Sequence, residues 1–292
     1  MFPTAFDYVR AHSVDEAIAA LRPHGADGRI LAGGQSLIPA MRYRLARPSV
    51  LVDINPITSL SYITEEDGYL RVGATARDAT LEMSPLMARY SLFRECSAVV
   101  ADPVVRHMST VVGSLCHNDP AGDWVAAALA ARAIIMVRSA DGERAVPIDD
   151  FIVDSYTTAV QEGEMAVEVR FPIPSPRTAD AYEKIERKVG DYATAAAAVQ
   201  ITLDEDGVCT AAGVAITALG PVALRVAKAE DILVGQRLTE EVIRAASAEA
   251  PLIATPNADG RGSEEYKKDM GRVLVARGLR RAGSAVQGAK AS

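Results

Sequence analysis

The stretch A-G-G-Q-S-L-I-P, residues 32–39, decides the fold of the first part of the chain. Residues 30–31 before it form a short apolar stretch, which predicts a strand. Residues 37–45 have helical spacing, with Pro39 in the first turn, where proline is tolerated. Residues 50–54, V-L-V-D-I, predict a second strand. The quoted stretch is therefore a glycine turn that joins a strand to a helix.

Gly33 and Gly34 have no Cβ atoms, so the backbone N–H groups of this turn are open to an anion. The helix that follows adds partial positive charge at its N-terminus. A phosphate-binding turn is one interpretation, and a tight turn without a ligand is the other. The sequence contains neither the G-x-G-x-x-G dinucleotide pattern nor the G-x-x-x-x-G-K-S/T phosphate loop.

A second segment, T-V-V-G-S-L-C-H-N-D-P-A-G-D at residues 110–123, brings a hydroxyl, a glycine, an imidazole and two carboxylates together. We expect residues 110–115 to be extended and to run into a polar loop. Such a loop lines a cofactor site, or is an ordinary loop in which Asp123 caps the next helix. His117, Asp119 and Asp123 also permit metal binding, although their spacing fits no recognised pattern.

A third segment, K-I-E-R-K-V-G-D-Y-A at residues 184–193, places cations before a turn that presents Tyr192. Alternating charge on an exposed strand explains most of this pattern. An aromatic side chain at a turn can also lie over a flat conjugated ring. Tyr192 is therefore a candidate contact for such a ring.

The composition bounds the class of protein. The 292 residues are 49% hydrophobic with a formal net charge of −7, which predicts two or three domains and argues against a nucleic-acid partner. No stretch approaches the ~20 apolar residues that span a bilayer, and no signal peptide is recognised, so we expect a soluble, cytoplasmic protein. Cys96, Cys116 and Cys209 are too far apart for a disulfide framework or a metal cluster.

The rest of the pattern predicts mixed helices and strands. Residues 134–138 and 145–148 suggest a hairpin around Asp141-Gly142. The proline-rich run at residues 172–176 marks a domain boundary, because proline donates no ladder hydrogen bond. Beyond it we expect strands near residues 181–188, 195–203 and 208–215, and helices near residues 226–233, 240–250 and 264–282.

Taken together, the three segments resemble the FAD-binding medium subunit of the molybdenum hydroxylase family, of the carbon monoxide dehydrogenase and xanthine dehydrogenase type. The R-P-x-x-L-V-D-I run at residues 47–54 is part of this resemblance, which covers essentially the whole chain. It implies an α+β fold with a two-subdomain FAD-binding module of the vanillyl-alcohol oxidase, or PCMH, type at residues 1–57 and 58–175. A C-terminal α+β domain of the CO dehydrogenase flavoprotein type would follow at residues 176–292.

The resemblance also implies non-covalent FAD. The glycine turn would hold the pyrophosphate through its N–H groups, Asp123 would accept from a sugar hydroxyl or the adenine edge, Lys184 would lie near the flavin, and Tyr192 would cover part of the isoalloxazine ring. Val112 stands where such loops usually carry a second glycine, and valine is strained there if the position needs positive φ. The implied FAD-binding residues are Ala32, Gly33, Gly34, Gln35, Ser36, Leu37, Thr110, Gly113, Ser114, Asp123, Lys184 and Tyr192.

The implied function is electron relay. Substrate is oxidised at a molybdopterin cofactor on a large partner, electrons pass through 2Fe–2S clusters on a small partner, and this chain passes them through FAD to an external acceptor. Two copies of each chain assemble, and no catalytic residue or metal ligand is implied here. The other interpretations are a stand-alone FAD-dependent oxidase of the same fold, a scaffold that no longer binds FAD, and a metal-dependent hydrolase.

Overall fold

The computed structural model describes residues 2–288 and begins with a small three-stranded parallel sheet. Its strands are β1 (Asp7–Arg10), β2 (Gly28–Leu31) and β3 (Val50–Asp53), with β3 in the middle. Helix α1 (Val14–Leu21) precedes β2, and helix α2 (Leu37–Arg42) precedes β3. Ser13 caps α1, because its hydroxyl accepts a hydrogen bond from the Glu16 N–H at 3.1 Å.

A five-stranded antiparallel sheet forms the next unit. Its strands are β4 (Ile63–Glu66), β5 (Tyr69–Gly73), β6 (Ile134–Ser139), β7 (Gly142–Pro147) and, after a small hairpin of β8 (Ile152–Asp154) and β9 (Thr157–Thr158), β10 (Met165–Pro172). The predicted hairpin around Asp141-Gly142 is confirmed by the pairing of β6 with β7. The helices of this unit are α3 (Asp78–Glu82), α4 (Ser91–Val99), α5 (Pro103–Arg106), α6 (Val111–His117), α7 (Asp123–Ala130) and α8 (Ile148–Phe151).

A four-stranded antiparallel sheet follows the proline-rich run. Its strands are β11 (Thr178–Glu186), β12 (Ala193–Leu203), β13 (Cys209–Thr217) and β14 (Leu224–Arg225). The helices are α9 (Ala227–Leu233), α10 (Glu240–Ser247), α11 (Ala250–Ile253) and α12 (Glu264–Gly288). The strands and helices predicted for this part of the chain are confirmed, with their ends shifted by a few residues.

Strand β12 joins two hydrophobic cores. Successive side chains of a strand point to opposite faces. Ala196 and Ala198 accordingly pack in the core that contains α7, whereas Ala195, Ala197 and Val199 pack in the C-terminal core that contains α12. Small side chains let helices approach both faces of the strand, so the part of the chain before the proline-rich run and the C-terminal part share a buried sheet.

The expectation that residues 110–115 are extended is wrong, because helix α6 begins at Val111. The Thr110 side chain accepts from the Gly113 N–H at 3.1 Å and so caps the helix. Val112 lies in the helix, is 2% exposed, and does not have positive φ. The expected strain at Val112 is therefore absent, and its side chain contributes to the core.

Candidate functional site

The glycine turn at residues 32–36 leaves four backbone donors free. The turn lies between β2 and α2, and Gly34 has a φ of +71°, which favours glycine. Within residues 2–288, the N–H groups of residues 33–36 donate to no oxygen of the chain. The Gln35 amide donates to the Gly33 carbonyl oxygen at 3.2 Å. Consecutive free N–H groups in a turn form a concavity that binds anions.

The second loop lies directly against this turn. A Cβ atom added to Gly33 would lie 2.8 Å from the Ser109 Cα, closer than real Cβ atoms come to other backbone atoms. Gly33 is therefore required by the close approach of two backbones. The contact brings Thr110, at the start of α6, beside the first turn although 77 positions of sequence separate Thr110 from Gly33.

The start of α6 offers two hydroxyl groups as donors. The Gly113 N–H donates to the Thr110 hydroxyl, and the Ser114 N–H donates to the Thr110 carbonyl oxygen at 3.0 Å. Both hydroxyl hydrogens, on Thr110 and Ser114, remain available as donors, because no acceptor for either is found in the part of the chain that the structure describes. The second loop thus adds hydroxyl donors to the N–H donors of the glycine turn.

Asp123 and Lys184 form a buried ion pair. The Lys184 Nζ lies 3.0 Å from an Asp123 oxygen and donates to the Val99 carbonyl oxygen at 2.8 Å, and its side chain is 4% exposed. The Tyr182 hydroxyl donates to the other Asp123 oxygen at 2.7 Å. Burial raises the pKa of Asp123, and the Lys184 ammonium opposes that rise. Asp123 is the first residue of α7 and caps nothing with its side chain, so the interpretation as a helix cap is wrong.

Tyr192 lies at the surface, near a small cluster formed by Asp119, Tyr156 and His117. Its side chain is about half exposed, on a turn where Gly190 has a φ of +83°. Partial burial, with the nearby Asp119 carboxylate, raises the pKa of Tyr192 to about 12, so the phenol is neutral. The Tyr156 hydroxyl donates to Asp119 at 3.3 Å, and the rings of Tyr156 and His117 have centroids 5.2 Å apart.

The structure argues against the metal site considered from the sequence. His117 lies 3.7 Å from Asp119, but Asp123 is held by Lys184 and Tyr182. Across residues 2–288, no three histidine, cysteine or acidic residues are grouped in a way that could hold a metal ion. The hydrolase interpretation therefore has no support in this geometry.

Sequence reasoning did not find Tyr182, Asn55 or Arg77, which contact the predicted residues. Tyr182 precedes Lys184 by two positions on β11, so the alternation of the strand could have indicated that both reach Asp123. Asn55 donates to the Ala32 carbonyl oxygen and Arg77 to the Met108 carbonyl oxygen. No local pattern marks Arg77, because its contacts are distant in sequence.

The residues present fit the pyrophosphate of FAD. Four neighbouring N–H groups without an acceptor in the chain suit a dianion, because several donors can share its negative charge. The touching loops leave no space for a Cβ at Gly33, so a ligand there meets backbone rather than side chains. The chain is acidic overall, and oriented N–H dipoles can replace cationic side chains at such a site.

Comparison with protein-family models gives two matches. Residues 4–174 match the FAD binding domain in molybdopterin dehydrogenase, and residues 180–282 match the CO dehydrogenase flavoprotein C-terminal domain. The chain belongs to the family of FAD-binding medium subunits of molybdenum hydroxylases. It is therefore a subunit of a multi-subunit oxidoreductase, with FAD as its cofactor and the expected α+β fold.

Known relatives are similar in sequence to this chain along nearly its full length. The carbon monoxide dehydrogenase medium chain of Afipia carboxidovorans is 39% identical over 97% of this chain and 98% of the relative. The 6-hydroxypseudooxynicotine dehydrogenase complex subunit alpha of Paenarthrobacter nicotinovorans is 36% identical over 97% of this chain and 96% of the relative. These two relatives belong to enzymes with different substrates.

Solved structures show the same fold. A chain of the carbon monoxide dehydrogenase from Hydrogenophaga pseudoflava superposes with a TM-score of 0.94 at 39% identity, covering 98% of this chain and 99% of the other. A chain of the quinoline 2-oxidoreductase from Pseudomonas putida 86 gives a TM-score of 0.91 at 31% identity, covering 98% and 99%. No helix among the described residues is long and apolar enough to cross a membrane.

Proposed function

We propose that this chain is the electron-relay subunit of a molybdenum hydroxylase. It takes electrons from 2Fe–2S clusters on a small partner chain and passes them to an external acceptor, while substrate is oxidised at a molybdopterin cofactor on a large partner chain. The observation that carries the proposal is the concavity of free N–H groups at residues 33–36, closed on one side by the second loop. FAD, when bound, supplies redox chemistry that accepts electrons singly or in pairs.

Each FAD-binding residue then has a role that the contacts support. Residues 32–37 hold the pyrophosphate with backbone N–H groups, and the hydroxyls of Thr110 and Ser114 face it, with Gly113 kept small by its contact with the Thr110 hydroxyl. Asp123 retains lone pairs for a sugar hydroxyl, since each carboxylate oxygen accepts more than one hydrogen bond. Lys184 fixes Asp123, and the neutral, half-exposed Tyr192 is suited to covering a flavin ring.

The arrangement of domains and partners is part of the same proposal. Domains at residues 1–57, 58–175 and 176–292 each contain one of the three larger sheets. The printed names of the relatives, medium chain or subunit of a complex, support association with large and small chains. We propose two copies of each chain in a cytoplasmic assembly, with FAD bound non-covalently.

The test uses the complex purified from its native host. Its chains are identified by mass, and the released cofactor is identified after acid treatment. The complex is then reduced with dithionite and mixed with a quinone, and the rate of cluster re-oxidation is followed by absorbance with FAD present and after FAD removal. We expect FAD removal to slow re-oxidation by about tenfold or more, which corresponds to an increase of at least about 1.4 kcal/mol in the activation barrier.

An equal rate without FAD would contradict the relay. A chain that purifies alone with FAD and oxidises a substrate of its own would instead support the stand-alone oxidase. A chain without flavin would support the scaffold.

A further inference from the structure

A chain of hydrogen bonds joins the glycine turn to the second loop through two side chains. The Asn55 amide donates to the Ala32 carbonyl oxygen at 2.9 Å. The Arg77 guanidinium donates through one nitrogen to the Asn55 oxygen at 2.5 Å and through the other to the Met108 carbonyl oxygen. Arg77 thus spans the two segments that touch at Gly33.

Asn55 is held in the orientation that this bridge needs. Its backbone N–H donates to an Asp53 oxygen at 2.9 Å, and its side-chain amide donates to the same oxygen at 2.6 Å. The Tyr8 hydroxyl donates to the other Asp53 oxygen at 2.5 Å. Asp53 is 7% exposed, at the end of the central strand β3. The bridge is therefore anchored in the sheet from which the glycine turn emerges.

The charge of Arg77 is not neutralised by direct pairing. The residue is half-buried, and among residues 2–288 no carboxylate oxygen lies within 4.0 Å of its guanidinium nitrogens. Asp53 and Asp78 are near enough to act on it only at longer range. The two acceptors that it does contact are neutral, so the guanidinium is in no contact ion pair.

We propose that Arg77, oriented by Asn55, is a positioning residue for FAD. It fixes the spacing between the glycine turn and the second loop, and its charge favours the pyrophosphate between them. The planar fork of arginine suits this role, because two parallel donors reach two acceptors at once, which a lysine ammonium cannot reproduce with the same geometry. The inference rests on the proposed location of the pyrophosphate.

The test compares ligands that contain the pyrophosphate with one that does not. The full-length chain is stripped of FAD, and dissociation constants are measured for FAD, for ADP and for riboflavin, which has no phosphate. Arg77→Ala is expected to weaken the binding of FAD and of ADP by the same factor, about tenfold or more, because charge-assisted hydrogen bonds are stronger than neutral ones. Riboflavin binding is expected to change less than twofold.

The control variants distinguish an effect on the position of FAD from a general loss of structure. Arg272→Ala removes an exposed arginine that pairs with Asp269 on α12, and is expected to leave all three constants unchanged. Arg77→Lys keeps the charge but breaks the fork, and is expected to weaken FAD nearly as much as Arg77→Ala. Asn55→Ala combined with Arg77→Ala is expected to be no worse than Arg77→Ala alone, because the two residues act in series.

FAD affinity within twofold of the wild type in Arg77→Ala would overturn the inference, as would an equal loss of riboflavin binding. A wild-type chain on which ADP does not compete with FAD would contradict the proposed pyrophosphate site, and this inference with it. Failure of the electron relay would appear only in the re-oxidation experiment and would leave these affinities unchanged.

Discussion

Gly33→Ala tests whether the contact between the two loops creates the FAD site. The added Cβ would lie 2.8 Å from the Ser109 Cα and 3.1 Å from the Met108 carbonyl carbon. The Met108 carbonyl oxygen is nearer still, and ordinary contacts begin near 3.4 Å, so the turn has to move by more than about 0.6 Å. All three neighbours are backbone atoms, which cannot rotate away as a side chain can. Overpacking of this kind costs roughly 1–3 kcal/mol.

The displacement should appear in both stability and FAD affinity. If about 1.4 to 3 kcal/mol of the cost falls on the bound state, FAD affinity decreases roughly 10- to 100-fold. The assay is a fluorescence titration of the FAD-free chain, with urea unfolding in parallel. Gly260→Ala is the matched control, because Gly260 does not have positive φ and a Cβ there meets no atom within 4 Å. Wild-type FAD affinity in Gly33→Ala would refute the reasoning.

Three further substitutions test buried groups around the site. Burial raises the pKa of Asp78 to about 6, so the folded chain keeps a proton that the unfolded chain loses and stability falls as the pH rises from about 4 to 6. The free energy of unfolding of Asp78→Asn, taken relative to that of the wild type, should therefore rise by about 3 kcal/mol between pH 4 and pH 7, as measured by urea unfolding. A difference that stays constant across this range would contradict the assignment. Lys184→Met leaves the Asp123 carboxylate buried without its cation and should cost about 3–5 kcal/mol, with partial recovery when Asp123→Asn is added; full additivity in the double-mutant cycle would contradict the pairing. Gly213→Ala places a Cβ against the Ala130 carbonyl group and should lower the melting temperature by several degrees, whereas an unchanged value would show that α7 and β13 can separate without cost.

The family membership identifies FAD as the cofactor, and the free N–H donors indicate where its pyrophosphate can bind. Chains from solved structures with different printed names, a carbon monoxide dehydrogenase and a quinoline 2-oxidoreductase, have the same fold as this chain. This agrees with a relay subunit whose contacts serve the cofactor, because selectivity for the substrate then lies on another chain. In the proposed site, backbone N–H groups and one arginine would take the place of a basic cluster.

Local sequence was sufficient for features whose causes are local. The Ser13 cap, the hairpin around Asp141-Gly142 and the strand, glycine turn and helix around residues 32–36 all follow from neighbouring residues. The order of the three motifs was sufficient for the family. Turn and cap preferences act over four or five residues, so a single sequence displays them directly.

Tertiary structure decided what depends on distant residues. Strand β1 was not predicted, because its exposed side chains give no alternating pattern and its hydrogen bonds come from β3. Residues 110–115 appeared extended from their β-branched valines, but burial of Val111 and Val112 in the core and the Thr110 cap favour the helix.

The candidate site also depends on contacts between distant segments. The contact of Gly33 with Ser109, the bridge through Arg77 and the pairing of Asp123 with Lys184 each join segments more than twenty residues apart. The sequence determined which chemical groups are available and which family they belong to. Only the folded chain determined which of them meet, because packing energies between distant segments are not encoded in any local pattern.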